Sequence, residues 1–152
     1  MKIRPAVTGD RSFVLAAAQR LASFDPPPWR PPQEIVEGER RTLRAFFEAP
    51  PEGSSLLIAE SDDGNGLGFV YLERLHDYFT LAPHGHIGIL VVTEAASGKG
   101  VGSGLMRASE TWARERGYPK LTLTVFEANE AARAVYDHLG YVPETLRYVK
   151  IL

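Results

Sequence analysis

The chain has 152 residues, of which 44% are hydrophobic and 24% charged, with a formal net charge of -2. That size and mixture fit one globular domain over residues 1–152 and argue against a basic nucleic-acid-binding face. No cysteine is present, which excludes disulfides, thiolate metal sites and cysteine nucleophiles. "MKIRPAVTGD" lacks the apolar centre of a signal peptide, and no apolar run nears the roughly 18 residues that span a bilayer. A cytoplasmic protein without membrane or nucleic-acid partners is therefore expected.

"MKIRPA" reads as a first strand. "DRSFVLAAAQRLASF" reads as a helix with Asp10 as its N-cap and Val14, Ala18, Leu21 and Ala22 on one face. "DPPPWRPP" follows, and its prolines lack amide donors and restrict their neighbours, so it is neither helix nor central strand. It is either a stiff connector or a substrate-side loop presenting Phe24, Asp25 and Trp29. "PQEIVEGERRTLRAFFEA" reads as a second helix, with Val36, Leu43 and Phe47 on one side. "SSLLIAE" and "GLGFVYLERL" read as strands joined by "SDDGNG", a strong hairpin signal because Asp, Asn and Gly tolerate positive backbone angles.

"HDYFTLAPHG" reads as a loop and "HIGILVV" as a third strand of this half. "KLTLTVF" alternates Leu121, Leu123 and Val125 with threonines, as a strand with two unlike faces does. "NEAARAVYDHLG" reads as a short helix ended by Gly140, and "ETLRYVKIL" as a last strand. The order is β-α-α-β-β-β-α-β-α-β. Strands joined by short loops cannot all be parallel, whereas the later half has room for crossovers. The expected class is thus α/β (mixed α+β), with a mostly antiparallel central sheet and helices on both faces.

"SGKGVGSGL" places four glycines between "HIGILVV" and an amphipathic helix carrying Val101, Leu105, Ala108 and Trp112. A P-loop fails, because Gly98-Lys99 is followed by Gly100 and position 93 is threonine. A dinucleotide fingerprint fails at Ser103 and Leu105. What remains is a glycine-rich turn opening a helix near Gly100. Free amides and the positive end of the helix dipole favour an anion there, and Lys99 adds a point charge. A bound diphosphate and a tight structural turn both satisfy this pattern.

"ILVVTEAASGKGVGSGLMRASETWARERG" followed by "LTVFEANEAARAVYDHLGYVPE" resembles the GNAT superfamily of acyl-CoA-dependent N-acyltransferases, most strongly from about residue 86 to 142. Gly100 and Gly102 match that family's turn, while Ser97 stands where it usually has Arg or Gln. Asn129, Ala132, Tyr136, Gly140 and Tyr141 match its second motif. The resemblance implies a single-domain GNAT-like fold of about six to seven strands and about four helices. It implies acetyl-CoA as cosubstrate, a small-molecule amine or peptide as acceptor, and a homodimer as the common assembly; no His, Cys, Asp and Glu cluster has metal-ligand spacing, so no metal is expected. It implies a gap beside "GILVV" that admits the pantetheine arm against the backbone at Leu90, Val91 and Val92. It further implies a diphosphate on Ser97, Gly98, Lys99, Gly100, Val101, Gly102 and Ser103, with Asn129 and Ala132 flanking the arm.

Acyl transfer to an amine needs a base, donors for the carbonyl oxygen and an acid for the leaving thiolate. The resemblance assigns the acid to Tyr136, which periodicity alone would make a core aromatic. A backbone amide near Leu90 or Val92 would meet the oxyanion. His86 and Glu73 are the candidate bases, with His86 alternating with Gly88, Leu90 and Val92 on one sheet face. Residue type alone makes Asp25, Glu34 and Asp77, with Phe24, Trp29, Tyr78 and Phe79, the candidates for holding a cationic, partly apolar amine. The second functional reading is a non-catalytic acyl-CoA-binding or regulatory module.

Overall fold

A computed structural model describes residues 1–152. Five strands form one sheet in chain order: β1 (Lys2–Pro5), β2 (Ser55–Glu60), β3 (Gly66–His76), β4 (Pro83–Val92) and β5 (Leu121–Leu123). The first four pair antiparallel, and β4 pairs parallel with β5. Helices α1 (Arg11–Ala17) and α2 (Pro32–Glu48) precede β2, α3 (Val101–Glu115) bridges β4 and β5, and α4 (Glu130–His138) follows β5. The long α3 crossover is what permits a parallel β4–β5 pair. No helix is long and apolar enough to cross a membrane.

The sheet separates two cores. On one face, Val14, Ala18 and Leu43 of the first helical segments pack on Leu56, Ile58, Phe69, Tyr71, Ile89 and Val91. On the other, Val101, Leu105, Met106, Trp112 and Ala113 pack on Ala59, Val70, Leu72 and Ile87. Alternate strand residues thus feed opposite cores, as a pleat requires.

The alternation breaks once in β4. Tyr71 pairs with Ile89, but Leu72 pairs with Ile87, so Gly88 is an unmatched residue opposite β3. This β-bulge exchanges the faces on either side of it. Leu90 and Val92 pack with the α3 core, whereas Ile89 and Val91 belong to the α1–α2 core. His86 is paired with Glu73, one residue beyond Leu72, and so lies on the α1–α2 face. The expectation that His86, Leu90 and Val92 share a face is therefore corrected: an unbroken pleat was assumed.

Other differences are local. β4 starts at Pro83, inside the expected loop, because β3 runs on to His76 and offers a partner. Asp10 makes no side-chain N-cap; its carboxylate instead accepts from Arg4 Nη1 and Nη2 at 2.8 and 3.0 Å and from the Val7 amide at 2.8 Å. "KLTLTVF" is strand only over Leu121–Leu123, and "ETLRYVKIL" forms no strand. The sheet therefore has five strands, fewer than expected. A strand needs a hydrogen-bonded neighbour, and the three-residue β5 offers a very short edge.

A Cβ on Gly88 would sit 3.0 Å from Tyr71 Cδ1 and 3.3 Å from Glu73 Oε1. Gly88→Val should accordingly lower stability by about 1–3 kcal/mol, read from the midpoint of urea unfolding.

Candidate active site

The glycine turn joins the end of β4 to α3. Gly98 and Gly100 have φ of 73° and 80°, a left-handed region that costs a residue with Cβ roughly 1–2 kcal/mol. Nothing lies within 4 Å of a Cβ built at either position, so conformation and not crowding calls for glycine there. Gly100 caps α3, and the first helical bond runs from the Gly104 amide to the Gly100 carbonyl at 3.0 Å. The amides of Val101, Gly102 and Ser103 precede that bond and point out of the helix start. Ser97 and Lys99 are exposed on the same turn. Lys99 also borders an open cavity of about 470 Å³ shared with Met1 and with Asp63 and Asn65 of the β2–β3 turn.

The β4–β5 pairing covers only Gly85–Leu121, His86–Thr122 and Ile87–Leu123. Beyond Ile87, β4 continues through Val92 with β3 on one side and no strand on the other. The sheet is open along Gly88–Val92 on that edge, and this opening leads directly to the glycine turn. Val91 is buried toward α1 and α2, so only its backbone is available at the edge; Leu90 and Val92 are half-buried on the α3 side.

At the closed end of the opening, Glu73, His86 and Thr122 form one cross-strand row on the α1–α2 face. His86 Nδ1 lies 2.8 Å from Thr122 Oγ1. Burial, aided by the neighbouring His84, holds the His86 pKa below the ordinary imidazole value. Burial also raises the Glu73 carboxyl above the ordinary range. Glu39 of α2 faces this row: burial and then the Glu73 charge raise its pKa. Glu39 borders a cleft of about 330 Å³ with Arg30, Glu34, Ile35, Arg41 and Phe126. Glu39 escaped the sequence reading, since a glutamate in an amphipathic helix looks like ordinary solvated surface.

Tyr136 lies on the other side. It packs with Leu90 and Val92 against the α3 core, and burial raises its phenol pKa. Tyr141 is half-buried beside it, ring centroids 6.2 Å apart, with its pKa pushed up to about 12 by burial, then by the charge of Glu110. Asn129 Oδ1 accepts the Ala132 amide at 3.3 Å, which caps α4 and leaves the Asn129 amide group free to donate.

The candidate acceptor residues are not all brought together. Phe24 stacks on Phe126 at 5.2 Å, beside the Glu39 cleft. Asp25 and Trp29 are exposed on the proline segment, and Tyr78 and Phe79 stand exposed on the β3–β4 loop. Asp77 is already occupied. Its carboxylate accepts Lys120 Nζ and the amides of Phe79 and Thr80, which hold its pKa well below the carboxylate range. It serves as a brace for its loop.

A match to the acetyltransferase (GNAT) family model spans residues 17–141, and the chain belongs to that family of acetyl-transferring enzymes. YhfO of Bacillus subtilis, an uncharacterized N-acetyltransferase, is 29% identical over 147 residues, covering 95% of this chain and 92% of its own. A mycothiol acetyltransferase of Jonesia denitrificans is 30% identical over 128 residues, 80% of this chain and only 38% of that protein. The chain thus spans only 29% to 38% of the length of the mycothiol acetyltransferases it matches. In fold, it superposes on a Pyrococcus furiosus chain provisionally called an acetyl transferase, with a TM-score of 0.80 at 24% identity over 99% of both chains. The ribosomal-protein-alanine N-acetyltransferase of Brucella melitensis gives 0.71 at 22% identity over the whole of both.

Removing the partner of Asp77 tests its bracing role. The folded Asp77 pKa is depressed, so the stability it adds is present above the ordinary value of 3.8 and fades as pH falls through the lower folded value. Lys120→Met should lower Tm near neutral pH and shrink the further loss of Tm on acidification, measured by calorimetry.

Proposed function

We propose that this protein is an N-acetyltransferase that moves an acetyl group from acetyl-CoA directly to a primary amine within a ternary complex. The observation that carries the reading is the open sheet edge from Gly88 to Val92, running into a helix start with outward amides. The backbone along Leu90, Val91 and Val92 suits an amide-bearing pantetheine arm added like a strand. The amides from Gly98 through Ser103 suit the diphosphate, with Lys99 as a point charge and Ser97 as a weaker contact. Asn129 and Ala132, at the start of α4, flank the arm.

The bulge divides the labour. Tyr136 lies on the α3 side of the sheet with Leu90 and Val92, while His86 and Glu73, with Glu39 near them, lie on the α1–α2 side. The thioester enters on the first side and the amine on the second. An ordinary alkyl amine, with pKa about 10, arrives as ammonium, and the carboxylates of Glu39 and Glu73 attract it. His86 takes its proton. The amine nitrogen then attacks the thioester carbonyl, and a backbone amide near Leu90 or Val92 steadies the oxygen as it gains charge. As the C–S bond breaks, the electron pair stays on sulfur, which takes the Tyr136 proton; the nitrogen loses its second proton as the amide forms, through water, to restore the phenol, and His86 releases the first to solvent. A raised phenol pKa suits this step, since Tyr136 keeps its proton until the thiolate appears.

The acceptor is a cationic, partly apolar amine of a small molecule or peptide. Phe24, Phe126 and Ile35 supply apolar walls and Glu39 supplies charge, Glu34 being paired with Arg30; Asp25, Trp29 and Tyr78 serve at the rim.

The deciding experiment is thiol release from acetyl-CoA with an amine panel, comparing wild type with Tyr136→Phe. Turnover should fall about 100-fold or more while CoA binding by calorimetry is retained. Equal turnover would remove Tyr136 from the acid role. Because burial lowers the His86 pKa, kcat/KM should fall on the acid side only below the ordinary imidazole value of about 6.5. His86→Gln should abolish that acid limb together with most of the activity.

A further inference from the structure

Thr122 stands on β5 directly opposite His86 of β4. Its Oγ1 is 2.8 Å from His86 Nδ1 and 3.4 Å from the carbonyl oxygen of Gly85. A threonine hydroxyl has one proton to donate, and a carbonyl can only accept. If the hydroxyl proton goes to Gly85, the lone pairs of Oγ1 face His86, and Nδ1 must be the donor. A neutral imidazole has a single N–H, so Nε2 is then left with the free lone pair. Threonine is branched at Cβ and stiff at χ1, which keeps this oxygen in place on the strand.

From these contacts we infer that Thr122 is a positioning residue: it holds neutral His86 as the Nδ1–H tautomer, with Nε2 the proton acceptor. The catalytic consequence rests on His86 being the base. The tautomer itself does not, and it can be read without substrate. Free histidine side chains prefer the opposite tautomer, so the threonine contact has an effect to exert. The parallel β4–β5 register supplies it, because Thr122 meets His86 in the last part of the sheet before the strands part.

The test is ¹⁵N NMR of the labelled, ligand-free protein at about pH 8, above the ordinary imidazole range, with His86→Gln used to assign the ring signals. Wild type should show a protonated Nδ1 and an unprotonated Nε2. Thr122→Val keeps the shape but removes the hydroxyl. It should shift the ring toward the Nε2–H form and reduce kcat about 10-fold, with KM for acetyl-CoA unchanged. Thr122→Ser should restore both. An Nε2–H ring in wild type, or ring signals unmoved in Thr122→Val, would overturn the assignment. Ring signals that move while kcat does not would uphold Thr122 as the tautomer-setting residue and remove His86 as the base.

Discussion

Between Ile87 and Ile89, β4 carries one residue more than β3 can pair. That residue is Gly88, and almost every feature of the candidate site depends on it. The extra residue turns the strand over, so that side chains before and after it point to opposite faces. It also coincides with the end of the β4–β5 pairing at Ile87 and Leu123. At this one level of the sheet a gap opens toward β5 and the core that each neighbour joins changes. Glycine is the residue that permits it, because Tyr71 and Glu73 already fill the space a side chain would need.

This geometry gives the two halves of an acyl transfer separate surroundings. The α3 side is apolar around Leu90, Val92 and Tyr136, which keeps a phenol protonated. The α1–α2 side is polar at the same level, where burial pushes a histidine toward its neutral form and two carboxyls toward theirs. Each shift comes first from burial, and each opposes the charged state of its group. In the proposed reaction, the groups that must give and take protons thus sit on opposite faces of one sheet and meet only at the gap.

The glycine turn is the second fixed point. Its left-handed residues bring the chain into the start of α3, and the apolar face of α3 is locked by Leu105, Met106 and Trp112 against the sheet. Packing behind the helix holds its first amides in place at the turn. The Asp77–Lys120 brace acts similarly at the far end, tying the β3–β4 loop to the residue that precedes β5.

Much of this was written in local sequence. Turn chemistry at "SDDGNG", the apolar period of α2 and α3 and the glycines at 98 and 100 act over a few residues, and a linear reading finds them. The two glycine and Tyr136 motifs also carried the family. Other features required the folded chain. The bulge at Gly88 exists only as a mismatch between two strands, so alternation along β4 alone put His86 on the wrong face. Glu39 joins Glu73 only because α2 lies across the sheet, and Thr122 meets His86 only through the parallel register that α3 imposes. Asp77 looked available until Lys120, distant in sequence, claimed it. Local propensities and spacings are set by neighbours along the chain, while strand register and long-range polar pairing are set by the balance of contacts over the whole domain.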